Sequence, residues 1–259
     1  MEDLIQAVIS KKLRIKGHAY NLSENSGKAA IDFGYASKTA SRLNKLCKAI
    51  VPSRNRGLYQ QLLAKVITLV RADEIHELGQ LRIGYGNIQT LKGFQFNGRQ
   101  SWGGYVPWQT EVVCDLDEAV VQISIPKDKN WSRERYDDRV YKLQVEYHLV
   151  KLPFELDDEV ATLHTKELIF TPGENGSSKT AKLSISGWDN CLLLLIGKVD
   201  TYLWKLNSQT EYAVSGDRYY RPAAILEVFG LRDGQLLVDR VIEKEKNTQL
   251  PPDDGADWE

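Results

Sequence analysis

The chain has 259 residues, 42% hydrophobic and 27% charged, with a formal net charge of −1. That composition is ordinary for a globular protein and allows one large domain or two small ones with a full core. No apolar run approaches the ~20 residues needed to cross a bilayer as a helix, and Cys47, Cys114 and Cys191 are too scattered for a disulfide framework or a zinc site. The three cysteines are expected as buried free thiols, and no metal or other cofactor is expected.

The charge is unevenly spread. Residues 1–72 hold 13 basic and 4 acidic side chains, whereas residues 73–259 hold 21 basic and 31 acidic. Between Phe33 and Ala72 there is no Asp or Glu. A near-neutral total thus hides a +9/−10 division, which implies that the basic part meets something acidic.

Met1-Glu2-Asp3 precedes the apolar stretch Leu4 to Ile9, and the basic residues come afterwards. This order is the reverse of a secretory signal, so a cytoplasmic location is expected, with release by a non-Sec route left open. Residues 11–32 read as a β-hairpin or irregular arm, with Asn25-Ser26-Gly27 as its turn signal. From Ser37 to Val51, Ala40, Leu43, Leu46 or Cys47, and Ile50 recur at helical spacing. Ser37 is the expected cap and Pro52 the stop. Lys38, Arg42, Lys45 and Lys48 then form a stripe opposite the apolar face. A second helix is predicted from Gly57 to Ala72, with Arg54 and Arg56 in the short connection, giving an αα-hairpin.

Residues 73–97 carry Gly79, Gly84, Gly86 and Gly93 and read as loops with one short element. Strand signals follow at Val112–Cys114, Val120–Ile125, Tyr141–Leu149, Leu168–Phe170, Ala181–Ser186, Leu192–Leu206, Ala224–Phe229 and Leu236–Ile242. In the third of these, Lys142, Gln144, Glu146 and His148 alternate with apolar residues and mark a wet face. The predicted class is α+β: an N-terminal β arm and αα-hairpin over residues 1–97, then a mainly antiparallel β-sandwich, immunoglobulin-like or fibronectin-like, over 98–242. Residues 243–259 form an acidic tail, expected to be disordered, with Trp258 near its end as an anchor for a partner or a chance exposed ring.

Three pieces, Asp32-Phe33-Gly34-Tyr35-Ala36-Ser37-Lys38, Leu58 to Asp73, and Gly93-Phe94-Gln95-Phe96-Asn97, resemble an uncharacterised family associated with Bacteroidota. The resemblance covers residues 32–97. It implies an N-terminal β arm, a basic helical hairpin and a C-terminal β region, and carries no activity or catalytic residues with it.

The candidate partner-binding residues are Lys38, Arg42, Lys45, Lys48, Arg54 and Arg56. The stretch containing Trp102, Tyr105 and Trp108 reads as a loop packed over a sheet edge or at a subunit contact, with a sugar platform as the other reading. Two acidic clusters, Asp115 to Glu118 and Asp157 to Glu159, lack calcium-loop spacing and read as solvated turns. His18, His76, His148 and His164 are scattered, with no nucleophile elbow and no phosphate loop. The chain is therefore expected to be non-enzymatic. The leading expectation is a structural subunit that assembles with copies of itself into a filament, tube or ring. The alternatives are a module that binds nucleic acid or an acidic protein, and a carbohydrate-binding sandwich.

Overall fold

The computed structural model describes residues 23–52, 55–126, 136–173, 178–206, 208 and 210–237. The segments Leu4 to Ile9 and 11–22, Arg54, and the acidic tail with Trp258 lie outside the described residues.

The protein is α+β with antiparallel sheets. Helix α1, Glu24–Ile50, starts thirteen residues earlier than expected. Ser23 is its cap, and the Ser23 hydroxyl accepts from the Ser26 amide at 3.2 Å. Residues 24–32 are thus helical, not part of a β arm. Asn25 falls in the first turn, where amides lack intrahelical partners in any case, and the Gly27 amide makes the first helical bond, to the Ser23 carbonyl at 2.9 Å; weak helix formers cost little there. Helix α2, Leu58–Arg71, follows a short connection. The two helices share one apolar interface in which Leu43, Cys47, Leu62, Val66 and Leu69 are fully buried.

Among the described residues ten strands follow: β1 Glu111–Asp115, β2 Val120–Ile125, β3 Val140–Pro153, β4 Ala161–His164, β5 Leu168–Phe170, β6 Lys179–Ser184, β7 Cys191–Trp204, β8 Tyr212–Val214, β9 Ala223–Arg232 and β10 Gln235–Leu236. Among the described residues they form a large sheet in the order β10-β9-β7-β3-β4, with β5 on β3 and β8 on β7, and a small sheet β1-β2-β6. All pairings are antiparallel. β4 and β8 are strands with no counterpart among the sequence signals.

The long strands β3 and β7 are covered on both faces. On one face Val150, Leu152, Leu192, Leu194 and Ile196 pack on the helical hairpin. On the other, Tyr147, Leu149, Leu193 and Leu195 pack on the small sheet through Val121, Ile123 and Ile125. The result is three layers: helices, large sheet, small sheet. The first core joins residues on both sides of position 97, so the hairpin and the β region are held by common packing. Two short 3-10 turns, Ile83–Tyr85 and Ile88–Leu91, bridge them. Gly86 has to be glycine, because a Cβ there would lie 1.8 Å from the Leu69 carbonyl oxygen at the end of α2.

Asp32 and Asp73 organise this bridge. The Asp32 carboxylate, 7% exposed, accepts from the amides of Gly79 (2.7 Å) and Leu81 (3.1 Å). Asp73 accepts from the amides of Ile75, His76 and Arg82. Burial alone would raise the Asp73 carboxyl, but these amides and the His76 ring hold it below the usual carboxylate range. No helix among the described residues is long and apolar enough to cross a membrane.

Candidate functional site

The cationic stripe takes shape on the outer side of the helical layer. The sheet-facing side of α1 buries Tyr35, Ala36, Thr39, Ala40, Leu43, Cys47 and Ile50. That leaves Lys38, Lys45 and Lys48 exposed, with Arg56 exposed at the hairpin tip. Among the described residues none of these four pairs with a carboxylate. Arg42 behaves differently. It is half-buried and donates from Nη1 to the Glu155 carbonyl at 3.0 Å and from Nη2 to the Asp158 carbonyl. Its guanidinium therefore ties α1 to the β3–β4 loop, which is also where the acidic cluster Asp157 to Glu159 lies. Arg54 lies outside the described residues.

At the hairpin tip lies a cavity of about 330 Å³. Lys48 and Arg56 bring positive charge to it, and Asn44 and Asn55 bring amides. Pro52, Leu58 and Tyr59 supply apolar wall. Two local features build it. Pro52 ends α1, and the Asn55 amide donates to the Phe96 carbonyl at 3.2 Å, which fixes the connection against the segment that bridges to β9. The Tyr59 hydroxyl lies 3.0 Å from the Ser37 hydroxyl and links the two helices.

The aromatic stretch is placed inside. Trp102, Tyr105 and Trp108 are 7%, 4% and 5% exposed and belong to the core between the two sheets. The Trp108 ring stacks on Phe170 at 4.3 Å, and Trp102 meets Tyr147 edge-on at 6.1 Å. Tyr105 Oη lies 2.8 Å from Thr201 Oγ1, and burial pushes its phenol well above the ordinary value. Packing within the chain occupies these faces, so they offer no open platform for a sugar ring.

The acidic cluster Asp115 to Glu118 forms the β1–β2 turn at the small sheet, on the far layer from the helices. The Asp115 carboxylate accepts from the Glu118 amide at 3.0 Å, and Glu118 pairs with Lys182. Val113 and Leu116 beside it are exposed. No group of three or more His, Cys, Asp or Glu suited to a metal ion occurs among the described residues.

A second constellation went unread in the sequence. On the helix-facing side of the large sheet the apolar row of β7 gives way, after Gly197, to Lys198, Asp200, Tyr202 and Trp204. Register sets Glu146 opposite Lys198, Gln144 opposite Asp200 and Lys142 opposite Tyr202. Lys198 Nζ lies 3.3 Å from Glu146 and 3.4 Å from Asp200, and Arg221 Nε donates to Asp200 at 2.6 Å. Burial would raise the Glu146 carboxyl, but the Lys198 charge and the Gln144 amide hold it below its ordinary value. His148 lies 3.2 Å from Glu146, yet burial outweighs that carboxylate and pushes the imidazole down. At the end of this face the Lys142 ammonium sits 4.6 Å over the Tyr202 ring and 4.9 Å over Tyr212, in cation–π geometry. Every buried polar side-chain atom among the described residues has a hydrogen-bond partner. A network so fully paired holds the strands in register. The alternation of Lys142, Gln144, Glu146 and His148 was the visible half of the signal; its partners lie some fifty residues on.

No family model matches the chain, and no curated protein and no solved structure matches it either.

Proposed function

We propose that the protein is a non-enzymatic structural subunit that assembles with copies of itself, head to tail, into a ring, tube or filament. One observation carries the reading. The cations Lys38, Lys45, Lys48 and Arg56, which pair with no carboxylate among the described residues, lie on the helical layer, whereas the acidic β1–β2 turn with its exposed Val113 and Leu116 lies on the opposite layer. Complementary patches on opposite sides of one molecule make a heterologous contact, which closes into a ring or propagates. The charges set steering and register, and burial of apolar neighbours supplies most of the affinity. Two antiparallel sheets meeting across one core also support a sandwich reading of the β region, of the immunoglobulin or fibronectin kind.

The test is light scattering on the size-exclusion eluate at tens of micromolar, at low and high salt. Oligomers that shrink as salt rises are expected. A strict monomer in both conditions overturns the proposal. The cation row itself favours a second reading, an acidic partner other than the chain, with nucleic acid as the chemistry that needs clustered Lys and Arg alone. It predicts a gel shift of labelled DNA or RNA at low salt, with log affinity falling linearly in log salt; no shift removes it.

A further inference from the structure

We propose that β8 is a sheet edge that joins a second copy of this chain, the two β8 strands running antiparallel about a two-fold axis at Ala213. The contact is isologous and stands beside the head-to-tail contact without resting on it. The backbone shows the open edge. The Lys205 amide donates to the Glu211 carbonyl at 2.9 Å and the Ser215 amide to the Thr201 carbonyl at 2.8 Å, continuing the β7–β8 ladder at either end. Bonded residues alternate along an antiparallel ladder. Glu211, Ala213 and Ser215 therefore bond towards β7, and the amide and carbonyl groups of Tyr212 and Val214 point away from it. None of these four groups has a partner among the described residues. Every residue of β8 is exposed, so neither the helical layer nor the small sheet overhangs it. The outer strands of the small sheet, β1 and β6, carry Glu111, Asp115, Lys179 and Lys182, charges that keep sheet edges apart. β8 carries Tyr, Ala and Val instead, with Tyr212 41% and Val214 47% exposed.

The edge is its own complement. A two-fold axis at Ala213 sets Tyr212 opposite the partner's Val214 and Val214 opposite the partner's Tyr212, and each such pair exchanges an amide and a carbonyl bond in both directions. All the open groups of both copies are then satisfied. An axis at Tyr212 or Val214 pairs only one of the two residues within the strand. The register also sets no like charges face to face: Glu211 meets the partner's Ser215, and its carboxylate already pairs with Lys205 at 2.7 Å. The side chains agree with the backbone. Opposite residues share a face, so Tyr212 and Val214 lie on the same side as Trp204 and Tyr202. The Tyr212 ring is held in place within the chain, 4.4 Å from Tyr141 and 5.9 Å from Trp204, with the Lys142 ammonium 4.9 Å over it. A ring so placed loses little freedom on binding. It lands beside the partner's Val214, an aromatic against a β-branched residue, which stabilises cross-strand neighbours. A copy supplies at once the donors, the acceptors and the valine that the tyrosine meets; an unrelated strand is sure to bring only the first two.

The experiment uses the full chain at high salt, where the charge-steered head-to-tail contact is weakened. Sedimentation velocity over roughly 10–300 μM should show a dimer that salt does not dissolve. Val214→Pro removes an outward amide and no bond to β7, and dimerisation should weaken at least about tenfold with little change in the melt. A second readout stands even if that variant fails to fold. Ala213→Cys is made in a Cys114→Ser background, in which the remaining cysteines, Cys47 and Cys191, are buried. Across the two-fold axis the Cα atoms at position 213 lie about 4.5 Å apart, within disulfide range. Those at position 214 are diagonal, at about 7–8 Å. Copper–phenanthroline should therefore cross-link Ala213→Cys at least about tenfold faster than Val214→Cys in the same background. Wild type that is monomeric at high salt overturns the contact and leaves β8 open to a strand of another kind; oligomers of the same protein at low salt then leave the assembly reading intact. A dimer that Val214→Pro does not weaken, and that cross-links no faster at position 213 than at 214, lies elsewhere and also overturns the contact. A salt-resistant dimer with the expected cross-link, and no larger species at low salt, supports the β8 contact and removes the head-to-tail reading.

Discussion

Asp32→Ala is expected to destabilise the protein by about 2–5 kcal/mol. The carboxylate is 7% exposed and accepts from two amides, Gly79 at 2.7 Å and Leu81 at 3.1 Å. Alanine leaves the buried Leu81 donor and the half-buried Gly79 donor without a partner, at about 1–3 kcal/mol each with Gly79 at the low end. Leu81 is part of the core that joins α1 to the sheet, so water cannot reach its amide without opening that packing. In a chain of this size each kcal/mol moves the melting temperature by about 2–4 °C, so a drop of about 4–20 °C is expected. Urea titration should show a lower midpoint with an unchanged slope, the mark of lost stability without a changed denatured state. Amide exchange at Gly79 and Leu81 should accelerate ahead of the helix interiors. Asp32→Asn retains one side-chain oxygen that can serve one or both amides, and about half the loss is expected. An alanine variant within about 0.5 kcal/mol of wild type would refute the argument, since a surface substitution does no more than that.

Arg42→Ala should cost about 1–2 kcal/mol through its two carbonyl contacts, whereas Lys38→Glu, Lys45→Glu and Lys48→Glu together should leave the melt nearly unchanged and weaken self-association; a thermal melt beside sedimentation velocity separates the two effects. The folded-state pKa of His148 is depressed, so the unfolded chain binds the proton more readily. The stability this contributes is whole above the ordinary imidazole value of about 6.5 and is lost as pH falls below it. Melting temperature should therefore decline on acidification through that window, and His148→Gln should flatten the decline. Glu146, also depressed, adds a further loss only as pH drops below the ordinary carboxylate range. Gly197→Ala places a Cβ 2.6 Å from the Trp102 ring and 2.7 Å from Leu226; a loss of about 1–3 kcal/mol with altered tryptophan fluorescence is expected. Cys47 and Cys191 are buried as expected, but Cys114 is only half-buried; burial raises the Cys191 thiol to about 12 and the Cys114 thiol to about 11, so a thiol reagent at neutral pH should label Cys191 only on unfolding and Cys114 slowly in the folded protein.

The parts of the fold that could be read in the sequence were those whose signal is local. Leu58 to Arg71 repeats apolar residues at helical spacing with few interruptions, and the structure begins and ends that helix within a residue of the expectation. The β-branched run Val120–Ile125 and the short apolar piece Leu168–Phe170 fell on β2 and β5 without shift. The start of α1 failed because Asn25-Ser26-Gly27 is a turn signal only when no helix follows directly; with Ser23 as cap the same residues fill a first turn. β4 and β8 are four- and three-residue pieces whose pairing with β3 and β7 decides their conformation, and nothing in their own composition does. At the site, the cation stripe was legible as spacing. The capture of Arg42 was not, because its acceptors are backbone carbonyls of a loop more than a hundred residues away, and a carbonyl leaves no mark in a sequence.

The division of the helix-facing side of the large sheet explains why the cations sit where a partner can reach them. β7 changes character at Gly197, from Leu192, Leu194 and Ile196 to Lys198, Asp200 and Tyr202, and β3 changes in step, from Leu152 and Val150 to His148, Glu146 and Gln144. The apolar half needs a cover, and the hairpin, amphipathic and unable to stand alone, supplies it. The polar half is largely buried as well, with Gln144 and His148 9% and Asp200 8% exposed, so the face expected to be wet is not; there Glu146, Lys198, Asp200 and Arg221 satisfy one another across the strands. A charged network of this kind gives little net stability beside an apolar one of equal volume, but removing one member strands the rest. The hairpin is thus held over one half of the sheet, with its inner face used up by packing and its tip beside the point where the apolar row ends. What it can still offer a partner is the outward row of Lys38, Lys45 and Lys48 and the cavity that Lys48 shares with Arg56.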